Sequence, residues 1–259
     1  MMPSPLVSAA LLTPHGFFTR QGGVSVGPFA SLNCSLSGAD DRDAVLENRA
    51  CAVRAIGAAP ESLLGLTQVH GAEVVTIAAG DPAWLTGDGP RADAMVTDRA
   101  DVTLGIITAD CTPILFFDVA SGIAGAAHAG WRGAVAGVLE ATVAAMEALG
   151  ARRSGIAATL GPCIRQASYE VAADLRDAVL ARDAADSRFF LVGERAGRWQ
   201  FDLAGYCATR LETFGVGEID TIAADTLTEE KRFFSHRRRT LAGGGPIGHQ
   251  ISLISASGR

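Results

Sequence analysis

Two neighbouring pieces of the chain, "TADCTPI" at 108–114 and "AHAGWRG" at 127–133, decide how the rest is read. The apolar runs around them, "VTLGIIT", "ILFFDV" and "IAGAAHAG", are β-branched or aromatic-rich and end in Gly, Asp or Pro, as strands do. Cys111 and His128 therefore sit at turns beside strands, seventeen residues apart. A Cys and a His so placed are a thiolate nucleophile with its base, two ligands of a metal, or core filling.

Working outward, "LLGLTQVHG", "EVVTI" and "AMVTD" read as further strands before the pair, and "IAATLG" and "HQISLI" as strands after it. A helix is predicted from Asp40 to Gly57, with Asp residues at its start, Gly57 as its stop and Pro60 just beyond. A second is predicted from Gly133 to Leu149, where Val135, Val138, Leu139, Thr142, Val143 and Met146 share one face. Two more fall near 170–185 and 203–214. The segment from His15 is strand-like to about residue 20 and then becomes a glycine-rich loop that could frame a pocket. With no repeat and no linker, residues 1–259 read as one domain of mixed α/β (α+β) class, with helices over a large sheet system.

Composition limits the function classes. Hydrophobic residues make up 48% of 259 and charged ones 19%, which describes a packed globular protein rather than a disordered one. A net charge of −6 argues against nucleic acid as a partner, and "HRRR" at 236–239 is too short a basic run to change that. Five scattered cysteines without a CxxC pair make a poor disulfide framework and fit a reducing compartment. The start of the chain does not read as a signal peptide and no run approaches a membrane span, so the expectation is a cytoplasmic protein with no membrane and no obligate protein partner.

Three soft ligands stand at turns next to strands: His70 in "TQVHG", Cys111 and His128. Imidazole and thiolate suit zinc, and three protein ligands with an open position is the catalytic zinc pattern. Buried inert cysteine and a hydrogen-bonded strand-end histidine are the competing structural readings. On the first predicted helix Arg49 falls on the face of Val45, Ala52, Val53 and Ile56, so it is either paired with a buried carboxylate or holds an anion. Arg20 and Arg132 lie beside glycine-rich turns, where a snorkelling surface role competes. "GPCIRQ" places Cys163 in a strand-to-helix turn that could offer backbone N–H groups to a ligand. Of the acidic residues near strand ends, Asp93, Asp98, Asp101 and Asp118 read as turn or cap residues, and Asp110 as the partner that would orient an imidazole. No phosphate-binding GxxxxGK[ST] or GxGxxG loop, no zinc deaminase HxE…PCxxC set and no GxSxG elbow is present.

Taken in order, "HGFFTRQGGVSVGPFASLN", "ENR", "TQVHG", "ADAMVTD", "TADCTPILFFD", "AHAGWRGAVAGVLEATVAAM", "GPCI" and "FFSHRR" resemble the YfiH family, also called the laccase-domain or multicopper polyphenol oxidase family. The resemblance covers roughly residues 15 to 254. It implies a β-sandwich of mixed sheets flanked by helices, related in topology to the catalytic domain of cytotoxic necrotizing factor toxins. It also implies one zinc site and catalytic set made by His70, Cys111 and His128. The implied activity is that of a purine nucleoside phosphorylase on adenosine, inosine and S-methyl-5'-thioadenosine, yielding base and ribose 1-phosphate, with adenosine deaminase activity as well. Small molecules, purine nucleoside and phosphate, are then the partners. Arg20 and Arg49 match the family's arginines near the pocket; with Gln68, Arg132 and Cys163 they form the set of substrate-binding candidates. Gly248-His249 departs from the family pattern, which has Arg after this Gly. The laccase label fares badly on composition: five His, at 15, 70, 128, 236 and 249, are too few for several coppers, so copper is at most incidental. The rival readings are a Cys111–His128 hydrolase or amidase editing peptidoglycan precursors, by analogy with the toxin deamidases, and a structural zinc or partner-binding module.

Overall fold

A computed structural model describes residues 3–82, 84 and 89–257. From the amino end, β1 (His15–Phe17) and a long irregular segment lead to α1 (Arg42–Ala55). Six strands follow: β2 (Leu63–Leu64), β3 (Val74–Ile77), β4 (Ala94–Thr97), β5 (Thr103–Thr108), β6 (Thr112–Asp118) and β7 (Ile123–Ala129). After α2 (Trp131–Ala136) and α3 (Val138–Leu149) come β8 (Ile156–Leu160), β9 (Glu170–Val171) and α4 (Ala173–Arg182). The chain closes with β10 (Phe190–Val192), β11 (Trp199–Phe201), α5 (Leu203–Phe214), β12 (Glu218–Thr221), α6 (His236–Leu241) and β13 (Gln250–Ser255).

A six-stranded mixed sheet in the order β12-β8-β6-β7-β4-β3 packs against a four-stranded one in the order β1-β13-β5-β2; β9, β10 and β11 form a small third sheet. The alternation of side chains explains the layers. Along β6, Ile114 and Phe116 point to α3 and α5, while Leu115 and Phe117 meet Leu104, Ile106 and Ile254 of the other sheet. On the far side of that sheet, Ile251 and Leu253 meet Ala52 and Val53 of α1. A strand covered on both faces has no use for a polar face, which is why β5, β6 and β7 read as continuous apolar runs. The mixed α/β expectation is thereby met.

Three elements differ from the sequence reading. The helix expected over 133–149 begins earlier, at Trp131, and is broken at Gly137, whose φ of +97° ends α2 and starts α3. "LLGLTQVHG" supplies only the two residues of β2; the rest is loop that carries Gln68 and His70. The basic run 236–239 lies in a short helix, α6, capped by Ser235. By contrast α1 matches its prediction, with Asp41 accepting from the Ala44 N–H at the start and Gly57 left-handed just past the end.

Candidate metal and substrate site

The seventeen-residue spacing is the register of a hairpin. In the antiparallel β6/β7 pair, Thr112 lies opposite Ala129 and Pro113 opposite His128, so Cys111, one residue before β6, comes level with Gly130. On the other side of β7, Ala94 pairs with Ala127, which brings Asp93 level with His128. Beyond β4, parallel β3 is preceded by the loop holding His70. The potential ligand atoms of His70, Cys111 and His128 all lie within 4.8 Å of one another. Cys111 Sγ is 3.9 Å from His70 Nε2, and the two imidazole rings meet edge to face at 4.7 Å.

Glycine at 130 keeps the space between them open. A Cβ there would stand 3.0 Å from Cys111 Sγ and 3.0 Å from His70 Cδ2. Among the described residues, the non-glycine positions with positive φ are His70 (+61°) and Asp110 (+96°), the latter next to Cys111. Backbone strain of this kind persists where surrounding contacts over-determine it, and it gathers at functional sites.

Asp93 supplies those contacts for His70. Its fully buried carboxylate accepts from the His70 N–H (2.9 Å) and His128 Nδ1 (2.8 Å) through Oδ1, and from the Gly71 (2.6 Å) and Val69 (3.2 Å) N–H groups through Oδ2. Burial pushes Asp93 up, but these donors, His128 first, outweigh it and hold the carboxyl below its usual range. The imidazole-orienting carboxylate is therefore Asp93 and not Asp110. Asp110 accepts from Thr226 Oγ1 and from the Arg237 N–H, both at 2.6 Å, and so anchors the start of α6 beside the site. Burial would raise the Cys111 thiol, yet His128 and His70 together bring it down to about 6; burial would lower His128, yet Cys111 and Asp93 raise it to about 9.

The trio opens into a cavity of about 660 Å³, inside the roughly 300–1,000 Å³ usual for small-molecule sites. Its described lining carries four guanidinium groups, Arg42, Arg49, Arg132 and Arg237, against one carboxylate, Asp110. In a chain of net charge −6 that is a local reversal of sign. Arg49 is buried, donates through Nη1 to the Cys34 carbonyl (3.0 Å), and has no carboxylate partner among the described residues; its Nε is buried without an acceptor. Burial lowers its pKa.

The other candidates fare differently. Arg132 lines the cavity and stacks on Trp131 at 4.4 Å. Gln68 also lines it, but its amide is committed to β5, donating to the Ile107 carbonyl and accepting from its N–H. Arg20 is absent from the lining: it donates to the Ala30 and Glu230 carbonyls and lies over the Phe234 ring. Cys163 is fully buried in the core beneath the cavity wall, its thiol pushed up to about 11 by burial; Ile164 lines the wall instead. Tyr169, His236, Arg237 and His249 join the lining. Of these, His236 and Arg237 were signalled by "FFSHRR", whereas Tyr169, five residues after the lining Ile164, was passed over because an aromatic in a turn carries no signal of its own.

The family model for multi-copper polyphenol oxidoreductase laccase matches residues 14–257. The chain belongs to this family. Members similar to it include a Deinococcus radiodurans protein named purine nucleoside phosphorylase, 43% identical over 90% of this chain and 87% of that one. The Escherichia coli purine nucleoside phosphorylase YfiH is 37% identical over 87% of this chain and 88% of its own. Among solved structures, a Neisseria meningitidis protein superposes with a TM-score of 0.85 at 32% identity over all of both chains. The YlmD structure from Geobacillus stearothermophilus gives a TM-score of 0.81 at 30% identity, covering 93% of this chain and 91% of that one. The family's fold is thus this chain's fold, and relatives named as phosphorylases support an enzyme here.

Proposed function

We propose that the chain is a zinc-dependent purine nucleoside phosphorylase acting on adenosine, inosine and S-methyl-5'-thioadenosine, with adenosine deaminase activity. The observation that carries this reading is the pairing, in one cavity, of a His-Cys-His set with a buried guanidinium that has no carboxylate partner among the described residues. Phosphorolysis joins a phosphate oxygen to ribose C1′ while the bond from C1′ to the purine breaks, and the departing base takes up a proton. Arg49 suits the phosphate, because a desolvated guanidinium whose Nε has no acceptor among the described residues binds an oxyanion strongly. Arg42, Arg132 and Arg237 add favourable potential, whereas Arg20 supports the loop at 20–31 instead of touching phosphate. Two imidazole nitrogens and a thiolate, with the cavity on their open side, fit zinc. When bound, the ion supplies the Lewis acidity that attack of water on purine C6 requires. The five cysteines, all free, accord with a cytoplasmic setting.

The test is to incubate metal-defined protein with adenosine and phosphate and to assay adenine, hypoxanthine, inosine and ribose 1-phosphate. Turnover that disappears in Cys111→Ala is expected; no turnover, or turnover unaffected by that change, sinks the reading. In Arg49→Gln the phosphate KM should rise at least tenfold with zinc content unchanged. Metal analysis of the purified protein decides between zinc and the copper of the family's name.

One observation favours a second reading. His128 Nδ1 lies 2.8 Å from the buried Asp93 carboxylate, with Cys111 at the other end of the ring, which is the order of a thiol hydrolase triad. An amidase of this kind would survive chelation, which the zinc enzyme would not; alkylation of Cys111 would stop both.

A further inference from the structure

The geometry points to Asp93 as the residue that assembles the site: one buried carboxylate sets the tautomer of His128 and holds His70 in its left-handed conformation, so that both imidazoles turn toward Cys111. This is a positioning role. It rests on the metal reading only where zinc affinity is concerned, since a thiol mechanism would need the same His128 orientation.

An ionised carboxylate only accepts hydrogen bonds. Asp93 takes four, two at each oxygen, and its own backbone is fixed as well: its N–H donates to Glu73 and its carbonyl accepts from His128. His128 must therefore carry its proton on Nδ1 in the neutral ring, which leaves Nε2 with a lone pair. Only a lone pair can ligate a metal or receive the Cys111 proton. The three consecutive N–H groups of Val69, His70 and Gly71 converge on the same carboxylate, as backbone nests converge on anions. That convergence offsets the cost of the +61° φ at His70. Two ligands from separate segments, 58 residues apart (128 − 70), are thus tied to a single side chain from a third.

Asp93→Asn keeps the shape but replaces one acceptor by a donor. Whichever way the amide turns, its NH2 faces either His128 Nδ1 and the His70 N–H or the Val69 and Gly71 N–H groups, so the tautomer reverses or the nest opens. Zinc affinity, measured on the full chain by competition with a chromophoric chelator, should fall about 10- to 100-fold. The 15N shifts of the His128 ring should report Nδ1–H in the wild type, both with zinc and in metal-free protein in alkaline buffer where the ring is neutral. In the variant those shifts should move, or the N–H signals of residues 69–71 should. An Asp93→Asn protein with unchanged zinc affinity and unchanged signals overturns the inference, and so does a wild-type His128 protonated on Nε2. If the variant does not fold, the wild-type ring shifts decide alone. A wild type that binds no zinc would remove the metal reading but leave the tautomer measurement intact, so the two failures are told apart.

Discussion

Gly130 has no side chain because the site occupies the place where one would stand. Gly130→Ala would set a methyl against Cys111 Sγ and His70 Cδ2, so a loss of at least tenfold in zinc affinity is expected with the fold retained, measurable by metal titration and circular dichroism. His249 offers a different test. It lines the cavity, its Nδ1 is buried without a partner among the described residues, and burial, helped by His236, His128 and Arg239, lowers it to about 4. The unfolded chain binds this proton near the ordinary histidine value of about 6.5 while the folded chain does not, so stability falls as pH drops from about 6.5 to about 4, by up to ~3 kcal/mol. In His249→Gln the pH-dependence of unfolding, followed by urea titration, should be shallower across that window; an unchanged slope would show that His249 is protonated in the folded state. At this scale the ordered family motifs in the sequence brought His70, Cys111 and His128 forward as candidate ligands, and the structure sets their ligand atoms within 4.8 Å of one another. The sequence did not identify Asp93, whose partners lie 23 and 35 residues away and are chosen by strand register alone.

Among the elements, the break between α2 and α3 is the instructive case. The apolar positions keep their helical period from Val135 to Met146, and one glycine costs a helix only ~1 kcal/mol, so periodicity runs straight through Gly137. Tertiary contacts make the break. α3 lies on β4 and β7 with Val138, Leu139, Val143 and Met146 buried, whereas α2 turns to present Trp131 and Arg132 to the cavity. Arg182 of α4 then donates to the Ala134 and Val135 carbonyls at the end of the broken helix, and Glu140 holds both Arg182 and Arg210. A Cβ at Gly137 meets nothing nearer than Glu140 Oε2 at 3.7 Å, so Gly137→Ala should cost only the left-handed conformation, ~1–2 kcal/mol by denaturant unfolding. A stabilised variant would mean that the helix prefers to run through.

For the molecule as a whole, the order of layers is α1, the four-stranded sheet, the six-stranded sheet, then α3 and α5, with β6 and β7 at the centre carrying Cys111 and His128 at one end. Phe116 is fully buried between β6 and the helices; Phe116→Ala should cost ~3–5 kcal/mol of stability while the metal affinity proposed for the folded protein stays that of the wild type, because the cavity it opens lies on the helix side of the sheet. A parallel fall in zinc affinity would mean that this packing, and not only Asp93, shapes the site. No helix of the described chain is long and apolar enough to cross a membrane. The sequence by itself determined the family, the class of fold, the central strands β5, β6 and β7 and the three candidate ligands, since these rest on residue type and short-range pattern. Only the tertiary structure decided which arginines face the cavity, which aspartate holds the histidines and why Cys111 and His128 stand seventeen residues apart. Those answers depend on strand register and on which polar groups lose their water, and neither is written in the local sequence.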